Sequence, residues 1–266
     1  MKKIGYLIAA MLLPLHLLAT DYAQLQDSTL TAVQIRTAAD FNFKLNRVTL
    51  SVGEELRFNL MPTAEVRLSN TYFETDVNII RGYLHAHAAY ALRVRTNKIG
   101  STTDVNKILR HRVYFGLTEQ VKLGMHQRFT LSLRERAVLN IRTDEPNTYE
   151  KPAYAWDMRY RLQLQYKAAS QPLTPYLWTE LIHTCNATDY QKYYNNGRNY
   201  ISAVKAAVGL KWKLDANNSL NFYLRYDWNR DIDIDANKEG STVKTAFDIR
   251  QHSATIGVAY KFNWKK

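Results

Sequence analysis

The chain has 266 residues, a formal charge of +12, a single cysteine and 12% aromatic residues. The lone Cys185 excludes a disulfide framework and a thiolate metal cluster. The excess of Lys and Arg over Asp and Glu predicts an anionic partner, either lipid headgroups or an acidic solute. We exclude nucleic acid because the N-terminus predicts export.

The N-terminal segment has the features of a secretory signal peptide. Two lysines precede an apolar stretch, and no acidic residue occurs before Asp21. The stretch is too short to cross a bilayer as a helix, which separates it from a transmembrane anchor. Cleavage is possible after Ala19 or Ala23, and we favour Ala23. Residues 1–23 are then the signal peptide, and residues 24–266 form one domain.

Apolar and polar residues alternate with a period of two along most of the remaining chain. From Val33 to Leu45, for example, odd positions carry Val, Ile, Thr, Ala, Phe, Phe and Leu, while even positions are mostly polar. This period is typical of β-strands and cannot be produced by a helix. It predicts strands at 32–45, 48–59, 71–80, 83–96, 111–122, 128–142, 155–167, 175–184, 200–214, 219–230 and 248–264.

The connections between these strands alternate between short and long. Tight turns are predicted at 46–47, 81–82, 124–126, 168–174 and 215–218, and longer polar connections at 60–70, 97–110, 143–154, 185–199 and 231–247. Short periplasmic turns and longer extracellular loops are typical of up-and-down transmembrane β-barrels. Because single-chain bacterial barrels have even strand numbers, we predict about 12 strands, the extra one near 22–30, with about 10 as the alternative.

Aromatic residues on the apolar face distinguish a membrane barrel from a soluble β-sandwich. They fall at or near strand ends, as the aromatic girdles of outer-membrane barrels do: Trp156, Tyr166, Tyr200, Trp212, Trp228, Tyr260 and Trp264. The pattern therefore predicts an all-β, antiparallel barrel in the outer membrane of a Gram-negative bacterium. Its partners are then outer-membrane lipid and the barrel-assembly machinery. A soluble secreted sandwich that binds a ligand is the alternative.

Four strings of residues, taken in order, resemble a known family. They are VTLSVGEELRF at 48–58, RHRVYFG at 110–116, RFTLSLRERAV at 128–138 and PYLWTE at 175–180. Together they resemble outer-membrane β-barrels classed only as a domain of unknown function. The resemblance implies a barrel with charged residues inside, and it implies no activity or substrate. The sequence departs from the family pattern at Trp178 and in the two lysines that follow Trp264.

The predicted inward face carries a large set of charged residues. The candidates are Arg57, Glu55, His85, His87, Arg93, Arg112, Arg134, Arg136, Arg159, Arg161, Glu180, Arg225 and Asp227. Arginine pairs bidentately with carboxylates, so these residues can form a salt-bridged lumen with a purely structural role. They can equally line a narrow, anion-attracting pore or a pocket for a small anionic solute.

No residue set predicts a catalytic or metal site. His85 and His87 share a face, but nothing in the spacing fixes a third ligand among His111, Glu55 and Glu180. We therefore predict neither a metal nor another cofactor.

The enzymatic alternative is a lipid-modifying hydrolase, for which Ser132, His126 and His183 are the available side chains. They form no recognisable constellation.

Three glutamates interrupt the apolar face: Glu54, Glu119 and Glu135. Glu119 lies near a predicted periplasmic turn, where headgroups tolerate charge. Gly53 predicts a β-bulge that would turn Glu54 inward. For Glu135 the sequence offers no comparable device. The alternative for Glu54 and Glu135 is an oligomer contact or a local bulge used by function.

Overall fold

The structure, a computed structural model, describes residues 22–62, 64–98, 105–143, 147–168 and 171–265. The signal peptide stays a prediction, because residues 1–21 lie outside these ranges. The described part contains one short α-helix, α1 (Asp189–Tyr193), one turn of 3-10 helix (Met125–Gln127) and eleven strands. The strands are β1 (Leu25–Leu45), β2 (Val48–Met61), β3 (Glu65–Ile80), β4 (Leu84–Lys98), β5 (Val105–Leu123), β6 (Phe129–Arg142), β7 (Tyr154–Tyr166), β8 (Leu173–Thr184), β9 (Ile201–Lys213), β10 (Asn218–Ala236) and β11 (Val243–Lys265).

The strands form one closed barrel in which each strand pairs with its neighbours in sequence. All neighbouring pairs are antiparallel except the seam, where β1 runs parallel to β11 from Leu25 opposite Ala246 to Lys44 opposite Lys265. Each of the predicted strand patterns corresponds to an observed strand. The predicted twelfth strand is wrong, because residues 25–30 extend β1 along β11. The parallel seam lets an odd number of strands close.

The two faces of the wall follow the sequence alternation. On β10, Phe222, Leu224 and Tyr226 point outward, and Leu224 is 59% exposed. On the same strand, Tyr223 and Arg225 point inward and are buried. In the described ranges no helix is long and apolar enough to cross a membrane.

The two ends of the barrel differ in their connections. The end with the short connections 46–47, 81–83, 124–128, 167–172 and 214–217 is called the turn end, and the other the loop end. In the last of these turns, Asp215 accepts hydrogen bonds from the backbone N–H groups of Asn217 and Asn218 at 2.7 and 2.8 Å. These bonds, with the Asn218 side-chain amide, lower the pKa of Asp215.

The loop end is more ordered than the sequence predicts. β10 continues to Ala236 and β11 begins at Val243, where a connection over 231–247 is expected. The outer face of this extension is covered by the β8–β9 connection, which contains α1. The covered side chains form a small core: Ala187, Tyr190, Tyr200, Ile232, Ile234, Ala236, Val243 and Ala246. Tyr200 therefore belongs to this core and not to an outer girdle.

Aromatic pairs lie on the outer face at the turn end and about halfway along the strands. At the turn end, Phe43 and Trp264 meet edge to face, with ring centroids 5.7 Å apart. Near the middle of β10 and β11, the Tyr226 hydroxyl lies 2.6 Å from His252 Nδ1, and Tyr90 and His111 form an equivalent pair on β4 and β5.

Three inward-facing tyrosines each lie over a glycine on the neighbouring strand. The pairs are Tyr72 with Gly53, Tyr176 with Gly209 and Tyr223 with Gly257. A Cβ atom at any of these glycines would overlap the tyrosine ring. Gly53 therefore provides space for Tyr72, and the bulge predicted from it is wrong. The register from Gly53 to Glu55 is continuous with both neighbouring strands.

The tyrosine–glycine contact gives a first testable expectation. We expect Gly257→Ala to lower the free energy of unfolding by about 1–3 kcal/mol, because the added methyl group displaces the packed Tyr223 ring. Urea unfolding in detergent micelles measures this cost. In a Tyr223→Ala background the same substitution is expected to cost less than about 0.5 kcal/mol, since the ring is gone. An equal cost in both backgrounds would show that the ring does not determine the effect.

Candidate functional site

All thirteen candidate residues lie on the inward face of the wall. They are distributed over seven strands, β2, β4, β5, β6, β7, β8 and β10. Because alternate residues of a strand face the same side, pairs such as Arg134 and Arg136 reach the lumen together. The lumen contains two regions that differ in how these charges are paired.

The first region is a layer of buried ion pairs across the middle of the lumen. Arg36 and Arg57 donate to the two carboxylate oxygens of Glu55 at 2.5 and 2.6 Å. Arg161 donates to Glu180 through Nε at 2.8 Å, and its Nη2 is 2.7 Å from the same oxygen. Glu55 and Glu180 are each only 6% exposed. These carboxylates are held by arginine and are not available as metal ligands.

The same layer continues around the barrel through further charge pairs and stacked rings. Arg136 donates to Glu74 at 3.2 Å, and Arg225 lies 2.8 Å from Asp227. Arg161 also stacks over the indole of Trp178, with its Cζ atom 4.1 Å from the ring centroid. Side chains therefore fill much of the cross-section at this level, as expected for a narrow barrel.

The second region is a cavity of about 700 Å³ between this layer and the loop end. We call it the vestibule. Its lining includes nine arginines and two lysines but only four aspartates, so positive charge is in clear excess. The arginines are Arg57, Arg67, Arg93, Arg95, Arg110, Arg112, Arg142, Arg159 and Arg230.

Three guanidinium groups of the vestibule form no ion pair with a carboxylate of the described residues. Arg112 donates to the neutral side chain of Asn140 at 2.8 Å. Within the ranges that the structure describes, Arg93 and Arg95 form no ion pair or side-chain hydrogen bond. The charges that act most strongly on Arg93 are those of Arg112, Arg57 and Arg159, all positive. Buried cations that have no directly bonded carboxylate are costly unless an anion or water compensates them.

Residues 147–153 of the β6–β7 connection lie over the vestibule, and we call this segment the strap. Lys151 of the strap lies 2.6 Å from Asp233 of β10. Asn147 donates to the carbonyl oxygens of Ala236 and Asn237 at 3.0 and 3.3 Å. Because β8 and β9 separate β7 from β10 in the wall, these contacts hold the strap across the mouth of the barrel.

The contacts of the strap differ in expected strength. We expect Asn147→Ala to increase amide hydrogen exchange in the strap and at Ala236 by about thirtyfold, since two backbone carbonyls each lose a hydrogen bond worth about 1 kcal/mol. Lys151→Ala is expected to have a smaller effect, because both members of its ion pair are partly exposed. Exchange in Asn147→Ala that matches the unmodified protein would contradict the assignment.

The histidines lie at the turn end of the lumen and share one carboxylate. His85 Nδ1 is 3.0 Å and His87 Nδ1 is 3.8 Å from Asp76. His111, considered as a third metal ligand, points outward and contacts Tyr90. Among the described residues, no three His, Cys, Asp or Glu side chains are placed to hold a metal ion.

The side chains considered for hydrolysis are not brought together. Ser132 is on the inward face of β6, and His126 is in the turn before that strand. His183 follows Ile182 on β8 and contacts the thiol of Cys185. In the described part of the chain these three side chains share no hydrogen bond, so the geometry gives the hydrolase alternative no support.

The three outward glutamates stay on the outer face. Ser69 Oγ donates to Glu54 at 2.7 Å, and the Thr71 hydroxyl donates to its other oxygen. These two β3 hydroxyls satisfy Glu54 where a bulge was predicted. Glu135 is exposed beside an outer-wall depression that contains Ala86 and Ala137, and the register there is regular.

Sequence reasoning missed several residues of the vestibule. Lys205 faces inward from β9 and lines the cavity. The apolar residues Trp212, Val208 and Val204 mark the outward face of β9, which places Lys205 on the inward face. The inward face is hard to recognise from the sequence because Ala203 and Ala207, on either side of Lys205, are not polar. The strap residues Asn147 and Lys151 carry no sequence signal, because a polar loop can pack in many ways.

Comparisons with known proteins add the following. No curated protein matches the chain. Among solved structures, the outer membrane protein OmpT of Vibrio cholerae is 13% identical, covering 79% of this chain and 58% of that one, with a TM-score of 0.38. The anion-selective porin from Comamonas acidovorans is 13% identical, covering 82% and 56%, with a TM-score of 0.33. The chain thus spans less than two thirds of their length, and we infer nothing about function from this likeness.

A family profile matches residues 28–238, which include most of the barrel. The matched family has no assigned activity, as the resemblance of the four strings implied. The match covers the region as a whole and does not test the four strings one by one. The chain belongs to the family described as "Protein of unknown function (DUF2490)".

Proposed function

We propose that this protein is an outer-membrane β-barrel that binds a small anionic solute in the vestibule. The observation that carries the proposal is the set of guanidinium groups at Arg93, Arg95 and Arg112, which face a cavity and have no carboxylate partner among the described residues. Planar guanidinium groups suit carboxylate, phosphate and sulfate groups, to which they donate paired hydrogen bonds.

The outer wall supports insertion in a membrane. Phe115, Val208, Leu224 and Ile256 are each more than half exposed on strands whose other face carries charged or polar side chains. A soluble protein rarely exposes so large an apolar area, whereas lipid requires one. In this arrangement lipid surrounds the wall, the barrel-assembly machinery inserts it, the turn end faces the periplasm and the loop end faces outward.

The ion-pair layer favours a binding protein over an open pore. Arg225 and Asp227 are 6% and 3% exposed, and Glu55 and Glu180 are equally enclosed. Because these ion pairs narrow the middle of the lumen, the vestibule is a pocket that a solute reaches from the loop end. The barrel is therefore expected to show no steady ion conductance in planar lipid bilayers.

Anion binding can be measured on the folded barrel in detergent micelles. We expect citrate to bind with one site per chain in isothermal titration calorimetry. The Arg93→Gln/Arg95→Gln variant is expected to bind at least tenfold more weakly, because each charge-assisted hydrogen bond is worth about 1.5–3 kcal/mol.

Lys211→Gln is the matched control for loss of charge. Lys211 faces inward on β9 but lies toward the turn end, over the ring of Tyr176, and it does not line the vestibule. Citrate affinity in this variant should stay within about twofold of the unmodified protein. Equal affinity in the double arginine variant and the unmodified protein would reject the vestibule as the binding site.

A further inference from the structure

We infer that the ligand of the vestibule carries two anionic groups at separated ends, one for the arginines of β4 and β5 and one for Lys205 on β9. The inference rests on the proposed function, because it names the class of anion that the same cavity accepts. It depends on where the unpaired cations lie.

The two sets of cations stand on opposite walls. Arg93 and Arg95 are on β4, and Arg112 is next to them on β5. Lys205 is on β9, and in the closed barrel four strands separate β4 from β9 in one direction and five in the other. Both walls line the same cavity.

Lys205 is available although acidic residues flank it. Glu180 on β8 and Asp227 on β10 lie directly opposite Lys205 across the sheet. Glu180 is engaged by Arg161 at 2.7 Å, and Oδ2 of Asp227 by Arg225 at 2.8 Å, while Oδ1 of Asp227 has no hydrogen-bond partner among the described residues. In the described part of the chain, the Lys205 ammonium group forms no ion pair or hydrogen bond, and it borders the cavity.

The width of the barrel prevents one anionic group from using both sets. The barrel has eleven strands. Strands spaced about 4.8 Å apart and tilted by about 40° give about 22 Å between opposite Cα atoms. Even when the arginine and lysine side chains extend about 6–7 Å toward each other, their charged ends stay about 9 Å apart, which is more than one carboxylate spans with a hydrogen bond of about 3 Å on each side. A ligand with two anionic ends satisfies both walls within one cavity of about 700 Å³.

Matched pairs of acids test this directly. We expect at least one α,ω-dicarboxylate among succinate, adipate and suberate to bind tenfold or more tightly than the monocarboxylate of equal carbon number, namely butyrate, hexanoate or octanoate. Isothermal titration calorimetry with the folded barrel in detergent micelles measures both members of each pair. If no dicarboxylate exceeds its partner by that factor, the inference is wrong.

The Lys205→Gln variant shows whether the preference for dicarboxylates comes from a direct contact with Lys205 or from the general attraction of anions to a positively charged lumen. In this variant the preferred dicarboxylate should fall to within about threefold of its monocarboxylate partner, and the monocarboxylate affinity should not change. Lys211→Gln, the same change on the same face of β9, should leave the ratio intact. An equal loss of the ratio in both lysine variants would show that the overall field produces the preference, and it would overturn the inference.

Failure of the inference can be told apart from failure of the proposed function. If the vestibule binds no anion, citrate and all six acids give no heat of binding. If it binds anions through the arginines alone, citrate binding persists and Arg93→Gln/Arg95→Gln weakens it. Each dicarboxylate then has the same affinity as the monocarboxylate of equal carbon number.

Discussion

Glu55→Gln is expected to lower the free energy of unfolding of the barrel by about 3 kcal/mol, because it removes one partner of a buried ion-pair group. Glu55 is 6% exposed and accepts hydrogen bonds from both Arg36 and Arg57. Glutamine keeps the shape of the side chain but has one acceptor oxygen and no charge, so one guanidinium loses its partner and both lose the compensating charge. Reversible urea unfolding in detergent micelles, followed by tryptophan fluorescence, measures the difference.

The neighbouring Glu54 is a matched control for this substitution. It is one position away on the same strand but on the outer face, where the hydroxyls of Ser69 and Thr71 donate hydrogen bonds to it. Glu54→Gln removes a charge from the outer face of the wall, and the amide oxygen still accepts from a hydroxyl. We expect the free energy of unfolding to change by less than about 1 kcal/mol, with either sign. Equal costs at the two positions would contradict the assignment of Glu55 to the inside and Glu54 to the outside.

Thr37→Cys combined with Val258→Cys is expected to form an intramolecular disulfide in nearly all molecules. The two residues lie opposite each other across the parallel seam between β1 and β11. Neighbouring strands are about 4.8 Å apart, within the Cα separation that a disulfide accepts. Both positions face outward, so an oxidant reaches them. The native Cys185 is replaced by serine in this experiment, and peptide mass spectrometry after oxidation identifies the link.

A displaced pair shows whether the register, and not chance collision, produces the link. Val33 is the residue opposite Ala254, so Thr37→Cys with Ala254→Cys is four residues out of register. This separation is about 13 Å along the strand, and no disulfide is expected. If the in-register pair fails to link in folded protein, an additional strand or an open edge separates β1 from β11, and the eleven-strand closure is wrong.

Much of the wall could be predicted from the sequence because burial on one face imposes a period of two. The inward and outward faces of β1, β4, β7 and β10 follow this alternation as expected. The period describes individual strands and contains no information on how the first and last strands meet. Residues 25–30 were therefore assigned to a twelfth strand, although they extend β1 beside β11.

The extension of β10 shows how composition can hide a strand. Residues 231–236 read Asp-Ile-Asp-Ile-Asp-Ala, which alternates as clearly as any other strand. Three aspartates in six residues made the segment resemble a polar loop. In the structure Ile232 and Ile234 are buried against the β8–β9 connection, so the apolar positions pack against protein beyond the barrel wall.

The pairing of charges within the lumen could not be derived from the sequence. The alternation of apolar and polar residues is the same around Arg93 and Arg161, and it places both side chains on the inward face. Arg161 faces Glu180 on the neighbouring strand, whereas the residues opposite Arg93 are Asn70 and Arg110. The difference depends on register, which also brings Ser69 and Thr71 to Glu54. A vestibule with unpaired arginines therefore appears only once the strands are aligned.

The claim on which the proposals depend is that the apolar wall faces lipid while the charges face the lumen. Spin labels at single cysteines replacing Val208, Leu224 and Ile256, with Lys238 in the β10–β11 loop as reference and Cys185 replaced by serine, test it in reconstituted vesicles. We expect the three wall positions to collide frequently with oxygen and rarely with a water-soluble nickel complex, and Lys238 to show the reverse. Frequent collision with the nickel complex at all three wall positions would show a water-exposed wall and would contradict a membrane barrel.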